Sequence, residues 1–103
     1  MNNINSYKHS LQVDLNCDMG EGMDNESDIM PFISSANIAC GFHAGNEYTI
    51  KKTIDIALEH GVAIGAHPGY DDPENFGRIS QIISVLDLAE LINEQIYLFE
   101  KIA

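Results

Sequence analysis

Residues 46–70 read NEYTIKKTIDIALEHGVAIGAHPGY, and this stretch decides the fold. Asn46 is a good helix N-cap, and Glu47 puts negative charge at the positive end of the helix dipole. Ile50, Ile54, Ala57 and Leu58 recur at i, i+4, i+7 and i+8, which gives one apolar face. His60 falls in the last turn, and Gly61 is a natural residue to follow the C-cap. Residues 62–66 (VAIGA) then read as a short buried strand. The run is continuous, as expected of a strand covered on both faces. It ends at His67, where Pro68 and Gly69 stop the strand and turn the chain. A helix returning directly into a strand is half of a β/α repeat.

Working outward, residues 11–16 (LQVDLN) alternate apolar Leu11, Val13 and Leu15 with polar Gln12, Asp14 and Asn16. That period of two predicts a strand with two unlike faces. A loop rich in Gly, Asp and Asn follows, and residues 28–33 are expected to hold a short helical turn. Residues 35–39 read as a small-residue strand that ends in the glycine-rich CGFHAG. Beyond Tyr70 a loop runs to Ser84, which with Asp87 makes a capping-box-like helix start. Residues 85–103 form a long helix with Val85, Leu88, Ala89, Ile92, Ile96 and Phe99 as its expected apolar stripe. The order is β, β, α, β, α. Strands alternating with helices imply parallel pairing and right-handed crossovers, hence an α/β domain. Residues 1–10 read as a flexible leader and residues 11–103 as the domain.

The chain has 103 residues, enough for one domain with a modest core. Its net charge is −11, from 16 acidic residues against 5 Lys and Arg. Contacts to nucleic-acid phosphates or anionic lipid need clustered Lys and Arg, and Lys51-Lys52 is the sole basic pair. No apolar run approaches the roughly 20 residues that span a bilayer. MNNINSYKHS lacks the apolar centre of a signal peptide, so a cytoplasmic setting is expected. Cys17 and Cys40 do not make a disulfide framework and read as small buried hydrophobes. Neither a dinucleotide-binding nor a P-loop glycine motif is present.

Each strand is expected to end in ionisable residues. The first delivers Asp14, Asn16 and Asp18, with Glu21 just beyond. Alternating side chains put Asp14 and Asn16 on one face. The second delivers Asn37, Cys40 and His43, and the third His67, Tyr70 and Asp71. In parallel α/β folds the C-terminal strand ends share one side of the sheet, where sites form. Asn16 and Asn37 serve equally well as loop caps, and Asp18 and Glu21 as solvated acids. A lone His43 is more often structural, and the second histidine in the same setting, His67, tips the reading to a site. Cys40 reads as packing. Arg78, the single arginine, either pairs with Asp71 or Asp72 or grips an anionic substrate in a bidentate fork. Two histidines with carboxylates suit a divalent metal. They also suit general acid–base work on an amide, which is the reading favoured here.

Three blocks carry a further signal. VDLNCDMGEG (13–22), IMPFISSANIACGFHAGN (29–46) and GVAIGAHPGYDDPENFGR (61–78) resemble the LamB/YcsF family, that of the A subunit of bacterial 5-oxoprolinase. The resemblance implies an enzyme component that acts with B and C subunits to open 5-oxo-L-proline to L-glutamate. ATP, with Mg, would be hydrolysed and would activate the lactam by phosphorylation. By motif, Asp14, Asn16, His43 and His67 are carried over as catalytic residues. Asp18, Glu21, Asn37, Tyr70 and Arg78 are carried over as substrate-binding residues. The implied fold is an irregular (β/α) barrel similar to those of deacetylases and glycoside hydrolases. In the deacetylases an Asp and two His hold a metal, so a divalent ion held directly by this site, in a metal-dependent carbohydrate deacetylase or amidase, is the alternative. Two positions depart from the family's pattern. Asn46-Glu47 stands where Asp-Pro is usual, which removes an acid from the expected site, and Ile79 stands where a second Arg is usual. Family members are more than twice as long. The chain is therefore expected to be an N-terminal portion, its barrel incomplete and its sheet edge open to self-association. A third reading is an inert remnant that only binds its B and C partners.

Overall fold

A computed structural model describes residues 12–103. The leader at 1–10 and Leu11 lie outside the described residues. Strand β1 covers Asn16–Met19 and is followed by a one-turn helix, α1, at Glu26–Ile29. A 3₁₀ turn at Met30–Phe32 then leads into β2, Ser35–Ala39. Helix α2 spans Glu47–Glu59, β3 spans Ala63–His67 and helix α3 spans Val85–Ile102. The three strands form a parallel sheet in the order β1-β2-β3. The expected succession of elements and the parallel pairing both hold.

Local chemistry sets the helix ends. The Asn46 side chain accepts from Thr49 N–H at 2.9 Å, and the Asn46 N–H donates to Thr49 Oγ1 at 2.8 Å. This reciprocal cap satisfies two groups that the helix leaves unpaired. At the other end Gly61 has φ 66°, a left-handed conformation that costs glycine little. The Val62 N–H then donates to Ala57 O, and the chain enters β3. The Ser84 Oγ accepts from Asp87 N–H and caps α3.

The first strand differs from its expected position. Residues 12–15 do not form it; β1 begins at Asn16, opposite Ser35. Val13 and Leu15 are 76% and 56% exposed, so their alternation meets no apolar surface among the described residues. Leu15 is tied instead to the start of β2. Its N–H donates to Ser34 Oγ, and its carbonyl accepts from the N–H groups of Ser34 and Ser35.

The sheet has two unlike faces. Met19, Ala36 and Ile38 are buried with Ile50, Ile54, Ala57 and Phe99 from the helices, and Cys17, Ile64 and Ala66 pack against them. Asn16, Asp18, Ser35, Asn37, Gly65 and His67 occupy the other face by alternation. The continuous run of β3 therefore does not signal cover on both faces. It reads as apolar because Ala63 and Gly65, on the polar face, are small. Gly65 pairs with Asn37, and a Cβ there would lie 3.0 Å from Asn37 Oδ1.

Helix α3 also corrects its expected stripe. Its buried residues are Gln95 and Phe99, with Leu88, Leu91 and Ile102 partly buried on the same side. Val85, Ala89 and Ile96 lie on another side and are exposed, and Ile92, 37% exposed, lies at the edge between the two sides. The periodicity is compatible with either face, because α3 is apolar on both.

Candidate active site

The C-terminal ends of the strands lead into three loops that close on one another. Gly45 has φ 77°, and a Cβ on it would collide with the Gly20 carbonyl oxygen. This backbone contact presses the loop after β2 against the loop after β1, and so brings His43 to Glu21. The loop after β3 then lies over His43. A Cβ on Gly69 would sit 2.5 Å from His43 Nδ1, so glycine is what lets this loop approach.

The result is a tight group. His43 is 3% exposed, and its Nε2 lies 3.4 Å from Glu21 Oε2. His67 Nδ1 lies 3.8 Å from the same Glu21 oxygen and 3.8 Å from Asp18 Oδ1. The two imidazole centres are 4.7 Å apart with the rings tilted by 59°. Both Nδ1 atoms are shielded from solvent and have no hydrogen-bond partner. Glu21, His43 and His67 each offer a ligand atom, all within 4.8 Å of one another, a donor set that fits a divalent cation. A cleft of about 330 Å³ opens beside them, lined by Asp18, Glu21, His43, His67, Phe76 and Arg78 among others.

A second polar group runs along the bare face of the sheet toward the other end. Asp14 accepts from Ser34 Oγ and Ser35 Oγ. The bond from Ser34, and after it that from Ser35, holds the Asp14 carboxyl below the ordinary carboxylate range. Asn16 Nδ2 donates to Ser35 Oγ at 2.9 Å, and Asn37 Nδ2 donates to Asn16 Oδ1 at 3.3 Å. Asp14, Asn16 and Asn37 thus form one chain of hydrogen bonds. Asp14 stands at the N-terminal end of β2, whereas the histidines stand beyond the C-terminal ends. The structure joins Asp18, Glu21, His43, His67 and Arg78 in one cleft, and Asp14, Asn16 and Asn37 in a neighbouring network.

Tyr70 falls elsewhere. It lines an apolar pocket with Pro68, Leu88, Leu91 and Ile92, between the loop and α3. Arg78 makes no ion pair within 4.0 Å among the described residues; Asp72 accepts from Asn75 Nδ2 instead. Arg78 is therefore available to the cleft rather than held by Asp71 or Asp72. Asn46, expected to cost the site an acid by replacing Asp, is a helix cap, and its side chain is used by Thr49. Burial pushes the Cys40 thiol above its usual range, with a backbone hydrogen bond at His67 partly offsetting this. Burial, then the charges of Asp18, Glu21 and Glu26, do the same at Cys17. Both are poor nucleophiles, in keeping with packing roles.

Two residues that sequence reasoning passed over shape this site. Gln95 of α3 is fully buried and clamps Gly69: its Oε1 accepts from Gly69 N–H at 2.9 Å, and its Nε2 donates to Gly69 O at 2.8 Å. A glutamine inside an apolar helix stripe was the available signal. Phe76 has φ 53°, the one non-glycine residue in the left-handed region among those described, and it lines the cleft beside Arg78. Such a conformation is costly and concentrates at functional sites. Nothing in the residue's identity announced it.

Fold and site together define an α/β protein of barrel type, with a histidine–carboxylate group beyond the C-terminal ends of parallel strands. Residues 13–103 match the LamB/YcsF family, and the chain belongs to it. It is 58% identical over 73 residues to the 5-oxoprolinase A subunit of Staphylococcus carnosus, covering 66% of this chain and 29% of that protein. It is 51% identical over 89 residues to the 5-oxoprolinase A subunit of Brevibacillus brevis, covering 82% of this chain and 35% of that protein. The lactam utilization protein of Thermus thermophilus superposes with a TM-score of 0.85 at 38% identity, over 89% of this chain and 39% of that one. The chain spans about a third of the length of the curated relatives it matches. No helix among the described residues is long and apolar enough to cross a membrane.

Proposed function

We propose that this chain supplies part of the active site of an ATP-dependent 5-oxoprolinase, which opens 5-oxo-L-proline to L-glutamate in a complex with B and C subunits. The observation that carries the proposal is the convergence of Glu21, His43, His67 and Asp18 in a cleft with Arg78 on its wall. A cyclic amide bearing a carboxylate needs two things from a site. Its carboxylate needs a cation, and Arg78 provides a planar fork. Its amide needs groups that move protons as the ring opens, and the His43–Glu21 and His67–Asp18 neighbours provide them. Asn16 and Asn37 orient the polar floor, with Asp14 at its far end. The relatives are each named as one subunit of 5-oxoprolinase, which supports assembly with others. ATP with Mg is assigned to the complex as a whole, because residues 12–103 contain no phosphate-cradling glycine motif. A soluble, cytoplasmic setting goes with this reading.

The test is a chimera in which residues 13–103 replace the corresponding segment of a full-length relative. Glutamate release is then measured with the B and C subunits, ATP and Mg. His67→Gln is expected to slow turnover by about 10²-fold or more, the usual worth of a general acid–base group. Undiminished turnover overturns the assignment. The grouping of Glu21 with two histidines favours a second reading, an amidase or deacetylase that needs no ATP. Hydrolysis that persists when ATP is left out selects it. Capture of the B and C subunits with no turnover selects a binding role.

A further inference from the structure

We infer that Glu21, His43 and His67 form a binding site for one divalent transition-metal ion of the zinc class. The inference uses the same side chains as the proposed lactam chemistry but does not depend on it.

The ligand atoms lie within 4.8 Å of one another, close to the separations of ligands that share an ion. Three ligands held about 2.0–2.2 Å from one centre at tetrahedral angles stand roughly 3.3–3.6 Å apart. His43 Nε2 and Glu21 Oε2 are 3.4 Å apart, and His67 Nδ1 and Glu21 Oε2 are 3.8 Å apart. The bland alternative is a pair of His–carboxylate hydrogen bonds. Charge-assisted bonds of that kind close to about 2.7–2.9 Å, and neither contact does. His67 Nδ1 is the clearest sign. It is shielded from water, faces two carboxylates at 3.8 Å and bonds to neither.

Charge points the same way. Asp18 and Glu21 have no Lys or Arg partner within 4.0 Å among the described residues. Glu21 is partly buried and Asp18 is exposed beside it, and a divalent ion would balance the two carboxylates. Two nitrogens and a carboxylate oxygen suit zinc and its neighbours rather than calcium or magnesium, which favour all-oxygen sites. Three protein ligands also leave a position open toward the cleft.

The experiment titrates the full chain, stripped of metal, with Co²⁺ and reads the visible d–d absorption, followed by Zn²⁺ displacement and metal counting. Binding should saturate at one ion per chain. It should weaken at least tenfold in Glu21→Gln and in His67→Gln, both partly exposed positions where folding is expected to survive. His43→Ala should abolish binding, with circular dichroism reporting whether the chain still folds. His60→Ala, at an exposed helix end where the ring bonds to Ile56 O, should bind as the parent does. No saturable binding, or equal binding in the Glu21 and His67 variants, overturns the inference. Because the readout is occupancy rather than turnover, metal binding without glutamate release rejects the lactam reading and leaves this one standing.

Discussion

His43 is held by what its neighbours lack. It is buried under the loop that follows β3, and Gly69 touches its ring where a side chain would not fit. A Cβ at residue 69 would lie 2.5 Å from His43 Nδ1 and 2.6 Å from Cγ. Gly69→Ala therefore forces the ring or the loop to move, an overpacking that costs about 1–3 kcal/mol. The expected outcome is a lower urea midpoint with an unchanged slope. A midpoint equal to that of the parent contradicts this account of the loop. The residue types at the site are legible in the sequence, where His43, His67, Glu21, Asp18 and Arg78 all stand out. Their grouping is not, since Asp14, Asn16 and Tyr70 read with the same weight and stand apart from the histidines. Phe76 escapes notice because a left-handed φ in a non-glycine residue is imposed by its surroundings.

At the scale of elements, α3 does more than cover the sheet. Its Gln95 accepts one hydrogen bond from the backbone of Gly69, two residues beyond His67, and donates another to it. Gln95→Ala leaves the partly buried N–H and C=O of Gly69 without this partner, at up to about 1–3 kcal/mol each. Urea unfolding should report that loss, and hydrogen exchange at the Gly69 amide should accelerate. Unchanged exchange at Gly69 in Gln95→Ala rules the clamp out. The helix start at Asn46, its end at Gly61 and the strand that follows are readable because caps and glycine act locally. Where β1 begins and which face of α3 is buried are not. Those depend on Ser34 taking up the Leu15 backbone, and on a glutamine finding Gly69 across a separation of 26 residues.

For the molecule as a whole, the sheet has helices on one face and a hydrogen-bonded polar chain on the other. Among the described residues β1 and β3 each pair with β2 alone. Val85 and Ile96 also lie exposed on α3. Unpaired strand edges and exposed apolar stripes favour association. Sedimentation equilibrium of the isolated chain should show mass rising with concentration, and Val85→Lys with Ile96→Lys should reduce it. A single monomer species with a cooperative melt contradicts this.

The division between what sequence and structure decide follows from range. The sequence alone determined the class of fold and the family, because periodicity, caps and the blocks VDLNCDMGEG, GFHAG and GAHPGY are local features of the chain. It also determined that histidines and carboxylates would stand at strand ends. Tertiary structure decided which of them meet. Glu21 reaches His43 because Gly20 and Gly45 touch, and His67 joins them because β3 lies beside β2 in register. A distance between residues 22 positions apart depends on how every intervening element packs, and no short stretch of residues encodes it.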